Sequence, residues 1–249
     1  MIHECQMDVV IPKAIRKVVR KIVPDDLVYF GRICDLKTVL KILIKYRYCF
    51  PQLLIDLANI LKRSLNRTDI SDHLITLYCE SLMVRPRLIV ELGVRGGEST
   101  FVFERIARIC HSSLISVDID ECSNVCNLND WSFVRKDDIE FAGEFRDWSI
   151  NKGICPQIDI LFIDTSHLYE HTLQEIKLYF PFLSPKGKVF FHDTNLTGWD
   201  NSRGVIRAIE DYLGCHLNEK RYFIVFKKPF QIIHYPFCHG LTILEKVIY

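Results

Sequence analysis

Apolar residues recur at helical spacing along the first third of the chain and in short β-branched blocks along the rest, and the rhythm changes near residue 87. In "PKAIRKVVRKIV" (12–23), Ile15, Val18, Val19 and Ile22 fall on one face with Arg16, Lys17, Arg20 and Lys21 between them. "FPQLLIDLANILKRSL" (50–65) repeats the pattern. "TDISDHLITLYCESL" (68–82) begins with Thr68, Asp69, Ser71 and Asp72 as candidate caps. Residues 1–67 therefore read as a helical region that caps a site or mediates self-association.

Beyond residue 87, strand and helix patterns alternate. "RLIVELG" reads as a strand, "STFVFERIARIC" as a helix, and "LISVDID" and "SFVRKDD" as strands. After "FRDWSINKG" come "IDILFIDT" (strand), "HTLQEIKLYFPFL" (helix), "GKVFFHDT" (strand) and "RGVIRAIEDYL" (helix), with "RYFIVFK" and "GLTILEKVIY" as closing strands. Such alternation predicts βαβ units and a mainly parallel, doubly wound α/β sheet over 68–249. Ligands of open α/β sheets sit outside the carboxyl ends of the strands. The residues there are Gly93 to Gly97, Asp118 and Asp120, Asp137 and Asp138, Asp164 and His167, then Asp193 to Asn195. Almost every strand ends in a carboxylate.

Composition narrows the classes. A net charge of +1 leaves no basic footprint for nucleic acid. The charge is uneven, with 15 Lys and Arg against 9 Asp and Glu in residues 1–88 and 17 against 22 in the remainder. The basic first helix has two readings, a surface for peripheral contact with an anionic membrane or an ordinary amphipathic helix packed on a neighbour. "LKTVLKILIKY" is interrupted by Lys41 and Lys45, short of the roughly 20 apolar residues of a span. "MIHECQMDVV" has no cationic start before an apolar run, so no signal peptide is expected. The ten cysteines form no CxxC pair, the nearest being Cys122 and Cys126, and read as reduced thiols of a cytoplasmic protein.

The turn "ELGVRGGEST" holds Glu91, Gly93, Gly96 and Gly97, but Arg95 stands where the dinucleotide fingerprint G-x-G-x-x-G has its second glycine. That glycine lets backbone approach a pyrophosphate, so a dinucleotide is disfavoured. Glu91 is placed to accept from a ligand ammonium, and Asp118 follows at the distance where a carboxylate binds ribose hydroxyls. A nucleoside with a cationic appendage and no phosphate fits this set.

"VELGVRGGEST", "ISVDID" and the Asp137/Asp138 pair resemble the class I methyltransferases that use S-adenosylmethionine, over roughly residues 68–249. The resemblance implies a Rossmann-like, seven-stranded sheet. It also implies cofactor contacts from Glu91, Gly93 and Gly97, with Val94, Arg95, Ser99 and Thr100 beside them. Asp118 would take the ribose and Asp137 or Asp138 would approach the adenine.

"IDILFIDTSHLYEHTLQEIKLYFPFLSPKGKVFFHDT" is further similar to macrolide-sugar O-methyltransferases and cephalosporin-hydroxylase-like proteins, which carry D-x-x-H after the fourth strand and a carboxylate ending the fifth. That likeness implies Mg²⁺ held by Asp164 and Asp193, His167 as general base, and a sugar, glycoside or polyketide-like hydroxyl as acceptor. Where the sugar enzymes have a Glu before the second metal Asp, this chain has His192, a ligand only if the strand breaks before Asp193. Asp164 has a second reading beside the cofactor. Two further functions stand open: a non-haem iron hydroxylase using His167, His192 and one carboxylate, and a non-catalytic cofactor-binding protein.

Overall fold

The computed structural model describes residues 36–196 and 203–247. The basic helix expected over 12–23 lies outside the described residues. Three helices come first: α1 (Leu36–Lys45), α2 (Phe50–Ser64) and α3 (Leu74–Val84). Pro51 opens α2, where a missing N–H costs nothing, and α3 stops at Arg85 in the left-handed region (φ 58°) ahead of Pro86. The start of α3 lies later than its capping residues imply, because a short 3₁₀ turn over Ser71–His73 intervenes and no side chain caps the helix. Thr68 and Asp69 are thereby freed for another role. Among the described residues no helix is long and apolar enough to cross a membrane.

The α/β part runs β1 (Leu88–Leu92), α4 (Glu98–Cys110), β2 (Ser113–Asp118), β3 (Trp131–Arg135), α5 (Asp138–Asn151), β4 (Ile158–Ile163), α6 (Tyr169–Tyr179), β5 (Leu183–His192) and α7 (Gly204–Leu213). It closes with β6 (Phe223–Lys227), β7 (Phe230–Tyr235) and β8 (Leu241–Lys246). The strands form one sheet in the order β3-β2-β1-β4-β5-β8-β7-β6, parallel from β3 to β5 and antiparallel beyond. The expected seven strands become eight, because "FQIIHY" forms a strand between the two closing candidates and pairs with both. Helix α5 is likewise an element that the periodicity did not mark.

Period-two alternation sorts the strand residues into two cores. Ile89, Phe162, Phe190 and Ile243 point to one face, packed with Val102 and Phe103 of α4, Leu77 and Leu82 of α3, and Leu53 and Ile60 of α2. Leu88, Val90, Leu92, Leu161 and Phe191 face the other way, against Phe141 and Phe145 of α5, Ile176 of α6 and Ile209 of α7. The helices of the N-terminal region are thus a layer of the first core. The strand order reverses between β1 and β4, and their carboxyl ends flank a crevice.

Candidate active site

The glycine turn after β1 is shaped by close backbone approach. Gly93 has φ 88°, and a Cβ there would lie 2.0 Å from the Asp164 carbonyl oxygen. Gly97, at φ 75°, is the N-cap of α4 and abuts Val125. Arg95 between them is also left-handed, at φ 47°. The turn borders an open cleft of about 370 Å³, lined by Gly93, Val94, Arg95, Ser99 and Asp164 on the sheet side.

Glu91 is not exposed to this cleft. Its carboxylate is fully buried and accepts from Ser99 Oγ (2.6 Å), Ser116 Oγ (2.6 Å) and Thr100 Oγ1 (2.9 Å). Burial pushes its pKa up to about 7 against those three hydroxyls. Glu91 and Thr100 therefore brace the turn from behind, where the sequence suggested a direct ligand contact, since alternation along β1 turns Glu91 toward α4. Asp118 braces it from the side: Oδ2 accepts the Val94 and Arg95 N–H groups at 2.7 and 3.0 Å, and Oδ1 that of Asp120 at 2.9 Å. Oδ2 has both lone pairs engaged, whereas Oδ1 retains one for a further donor.

The two acidic residues after β3 take different duties. Asp137 caps α5 by accepting from the Ile139 and Glu140 N–H groups. Asp138 is buried and pairs with His171 Nε2 at 3.0 Å, while its backbone oxygen accepts from Tyr179 OH at 2.7 Å. Glu175 stands behind them, bonded by Thr165 Oγ1 at 2.7 Å, and burial with the nearby Asp138 carboxylate pushes its pKa well up.

A second group gathers at the ends of β4 and β5. Asp193 has φ 56°, so the strand breaks immediately after His192 and both side chains turn to the same spot. His167 Nε2 lies 2.7 Å from Asp193 Oδ2 and 3.5 Å from Asp164 Oδ1. His192 Nδ1 is 3.2 Å from each carboxylate. His239 Nδ1 closes on Asp193 Oδ1 at 3.1 Å. Burial opposes ionisation of both aspartates, yet the hydrogen bonds from His167 and His192 lower the pKa of each, holding Asp193 well below the usual carboxylate range. His167 is pushed up to about 9 by its bonds to Asp164 and Asp193.

His192 Nε2 faces the Asp69 and Cys238 carbonyls at 3.2 and 3.3 Å, so all four of its neighbours accept. The ring therefore carries a proton on each nitrogen, and the carboxylates raise its pKa despite complete burial of the side chain. Of the expected ligands, Asp164 and Asp193 come within 4.8 Å of each other and of His167, and His192 lies against both aspartates; Asp138, His171 and Glu175 form a second such group. Sequence reasoning missed His239 and the Thr68–Ile70 wall of the cleft, whose only signal was a run of small polar residues before α3.

With this geometry in view, residues 90–194 match the family described as a methyltransferase domain. The match takes in the sheet from β1 to the end of β5 and with it the glycine turn and the Asp164–Asp193 centre. A search of the curated proteins returns no match. Among solved structures, MycE methyltransferase from the mycinamycin biosynthetic pathway, in complex with Mg and S-adenosylhomocysteine, superposes over 88% of this chain and 63% of its own, at 17% identity and a TM-score of 0.53. The chain thus spans less than two thirds of that protein. A methyltransferase from Geobacter sulfurreducens covers 96% of this chain and 98% of its own, at 15% identity and a TM-score of 0.51. At these identities the likeness speaks to the fold.

The residues of the matched segment fit both groups expected from the sequence, S-adenosylmethionine and a divalent cation. Gly93, whose missing Cβ lets the turn close against the Asp164 carbonyl, and Val94, Arg95 and Ser99 border an open cleft of about 370 Å³ at the carboxyl end of β1. Asp164, half-buried, and Asp193, buried, directly follow two adjacent strands and are offset only by imidazoles, a donor set that suits a small divalent cation keeping positions for water and substrate.

Proposed function

We propose that this methyltransferase transfers the cofactor's methyl group to a hydroxyl oxygen of a small sugar, glycoside or polyketide-like acceptor, assisted by a divalent cation such as Mg²⁺. The observation that carries the reading is the convergence of Asp164, His167 and Asp193 at the strand ends, with Asp164 shared between that centre and the cofactor cleft. Gly93 to Gly97 would hold the cofactor, with Asp118 available to its ribose and Asp137 and Asp138 at the start of α5 to its adenine.

S-adenosylmethionine, when bound, would supply an electrophilic methyl carbon whose transfer to the acceptor oxygen breaks the C–S bond and leaves the electron pair on sulfur as a neutral thioether. The hydroxyl proton passes to His167 Nε2, which must be neutral to take it. Asp164 and Asp193 would hold the cation, which would supply Lewis acidity that lowers the hydroxyl pKa and would offset the carboxylate charge that keeps His167 protonated. His192, held by two backbone carbonyls, orients both aspartates. MycE, which has been seen with Mg and with mycinamycin VI, supports the choice of cation and acceptor class.

S-adenosylhomocysteine is expected to bind in calorimetry at micromolar affinity or tighter. Asp193→Asn is expected to abolish cation-stimulated transfer and leave that binding within about threefold. Activity indifferent to both chelator and this substitution would remove the cation from the reading.

A further inference from the structure

One wall of the cofactor cleft comes from outside the sheet. Thr68, Asp69 and Ile70, which lead into α3, stand across from Val94 and Arg95. This segment is fastened from behind, the Asp69 carbonyl accepting from Cys238 Sγ at 2.7 Å and His192 Nε2 at 3.2 Å, and the Thr68 carbonyl from Cys238 Sγ at 3.4 Å. Its backbone is thereby tied to the reacting centre. The Asp69 carboxylate is left at the mouth of the cleft, hydrogen-bonded by Arg95 Nη1 at 2.6 Å.

Three acidic side chains line the cleft, and two are already committed. Asp164 is engaged by His167 and His192, and Glu98 is gripped by Arg63 through both oxygens at 2.8 and 3.0 Å. Asp69 is bound to a side chain that is itself 68% exposed. An ion pair in such contact with solvent is held weakly and exchanges readily.

We propose that Asp69 and Arg95 form a clasp for the amino-acid end of the cofactor, Asp69 accepting from the α-ammonium and Arg95 donating to the α-carboxylate. The inference rests on the S-adenosylmethionine reading above and adds to it a recognition residue, Asp69, that lies outside the matched methyltransferase segment. The chemistry is complementary in sign and order: the ligand presents one ammonium and one carboxylate on the same carbon, and the protein presents one carboxylate and one guanidinium in contact. In the free protein the two close on each other, and the ligand replaces one ion pair with two. The left-handed backbone at Arg95, pinned by the Asp118 carboxylate, fixes the stem of one arm. Arg95, which displaces a glycine needed for a pyrophosphate, thus selects for a zwitterion instead.

The test compares two ligands that share the nucleoside and thioether. S-adenosylhomocysteine carries the amino-acid end and 5′-methylthioadenosine lacks it. Each is titrated calorimetrically into the full chain as wild type, Asp69→Asn and Arg95→Gln. Losing one charged hydrogen bond is expected to weaken S-adenosylhomocysteine by roughly tenfold or more in each variant. Affinity for 5′-methylthioadenosine should stay within about twofold. Variants that bind S-adenosylhomocysteine as the wild type does, or that lose both ligands equally, overturn the clasp. A wild type that binds neither ligand removes the cofactor reading and the clasp together, whereas binding of both, unaffected by either substitution, removes the clasp alone.

Discussion

Gly93 shows how narrowly the cleft is built at the scale of a residue. Its φ of 88° and the 2.0 Å approach of a Cβ to the Asp164 carbonyl leave alanine no accommodation. Gly93→Ala should cost more than about 1 kcal/mol of stability in denaturant titration and abolish S-adenosylhomocysteine binding, because relief requires β1 and β4 to part. His167 makes the complementary pH statement. Its folded pKa of about 9 lies above the ordinary histidine value near 6.5, so its contribution to stability is complete below that value and is lost as pH rises through about 9. Unfolding measured in chelator between pH 6 and 10 should show this decline, and His167→Gln should flatten it. Without added cation, the transfer rate should climb toward the same limb near pH 9, since only neutral imidazole accepts the proton. A pH-independent rate over that range would contradict the role of His167 as base.

At the scale of elements, α3 is fastened to the sheet by a buried charge. Lys188 of β5, 3% exposed, reaches Glu80 of α3 at 2.6 Å and Glu245 of β8 at 3.3 Å. Removing one member of a buried pair leaves a charge uncompensated and typically costs about 3 kcal/mol. Lys188→Ala should lower the denaturation midpoint by an amount of that order, whereas Lys177→Ala on the outer surface of α6 should not. The same junction carries the Thr68–Ile70 wall, so a loosened α3 should also weaken cofactor binding. Strand β7 and helix α5 were less legible than their neighbours. Phe230, Ile232 and His234 alternate inward only because β6 and β8 flank them, and the buried face of α5 mixes Phe141 and Phe145 with the polar Asp138 and Ser149, which dilutes its apolar period.

For the whole molecule, the helical region preceding the glycine turn shares a core with the sheet. Val39, Ile42, Leu53 and Ile60 belong to the same cluster as Ile89, Phe162 and Phe190. A chain lacking residues 1–67 should therefore lose cooperative unfolding and expose apolar surface to a hydrophobic dye. A truncated protein that melts cooperatively near the full-length midpoint would instead establish 68–249 as an independent unit.

Period and punctuation in the sequence were enough to determine the alternation of strand and helix, the doubly wound class, and the strand ends at which Gly93, Asp118, Asp164 and Asp193 must lie. Those features depend on neighbours one or a few positions apart. Tertiary structure decided what each carboxylate faces. Glu91 turns away into three hydroxyls, Asp137 becomes a helix cap, and the left-handed Asp193 brings His192 into a centre that strand parity alone forbids. It also set Asp69, whose carboxylate and carbonyl face Arg95, His192 and Cys238 across as many as 169 positions of chain, at the lip of the cleft. Contacts between segments so far apart are fixed by how the layers pack, and no local pattern encodes them.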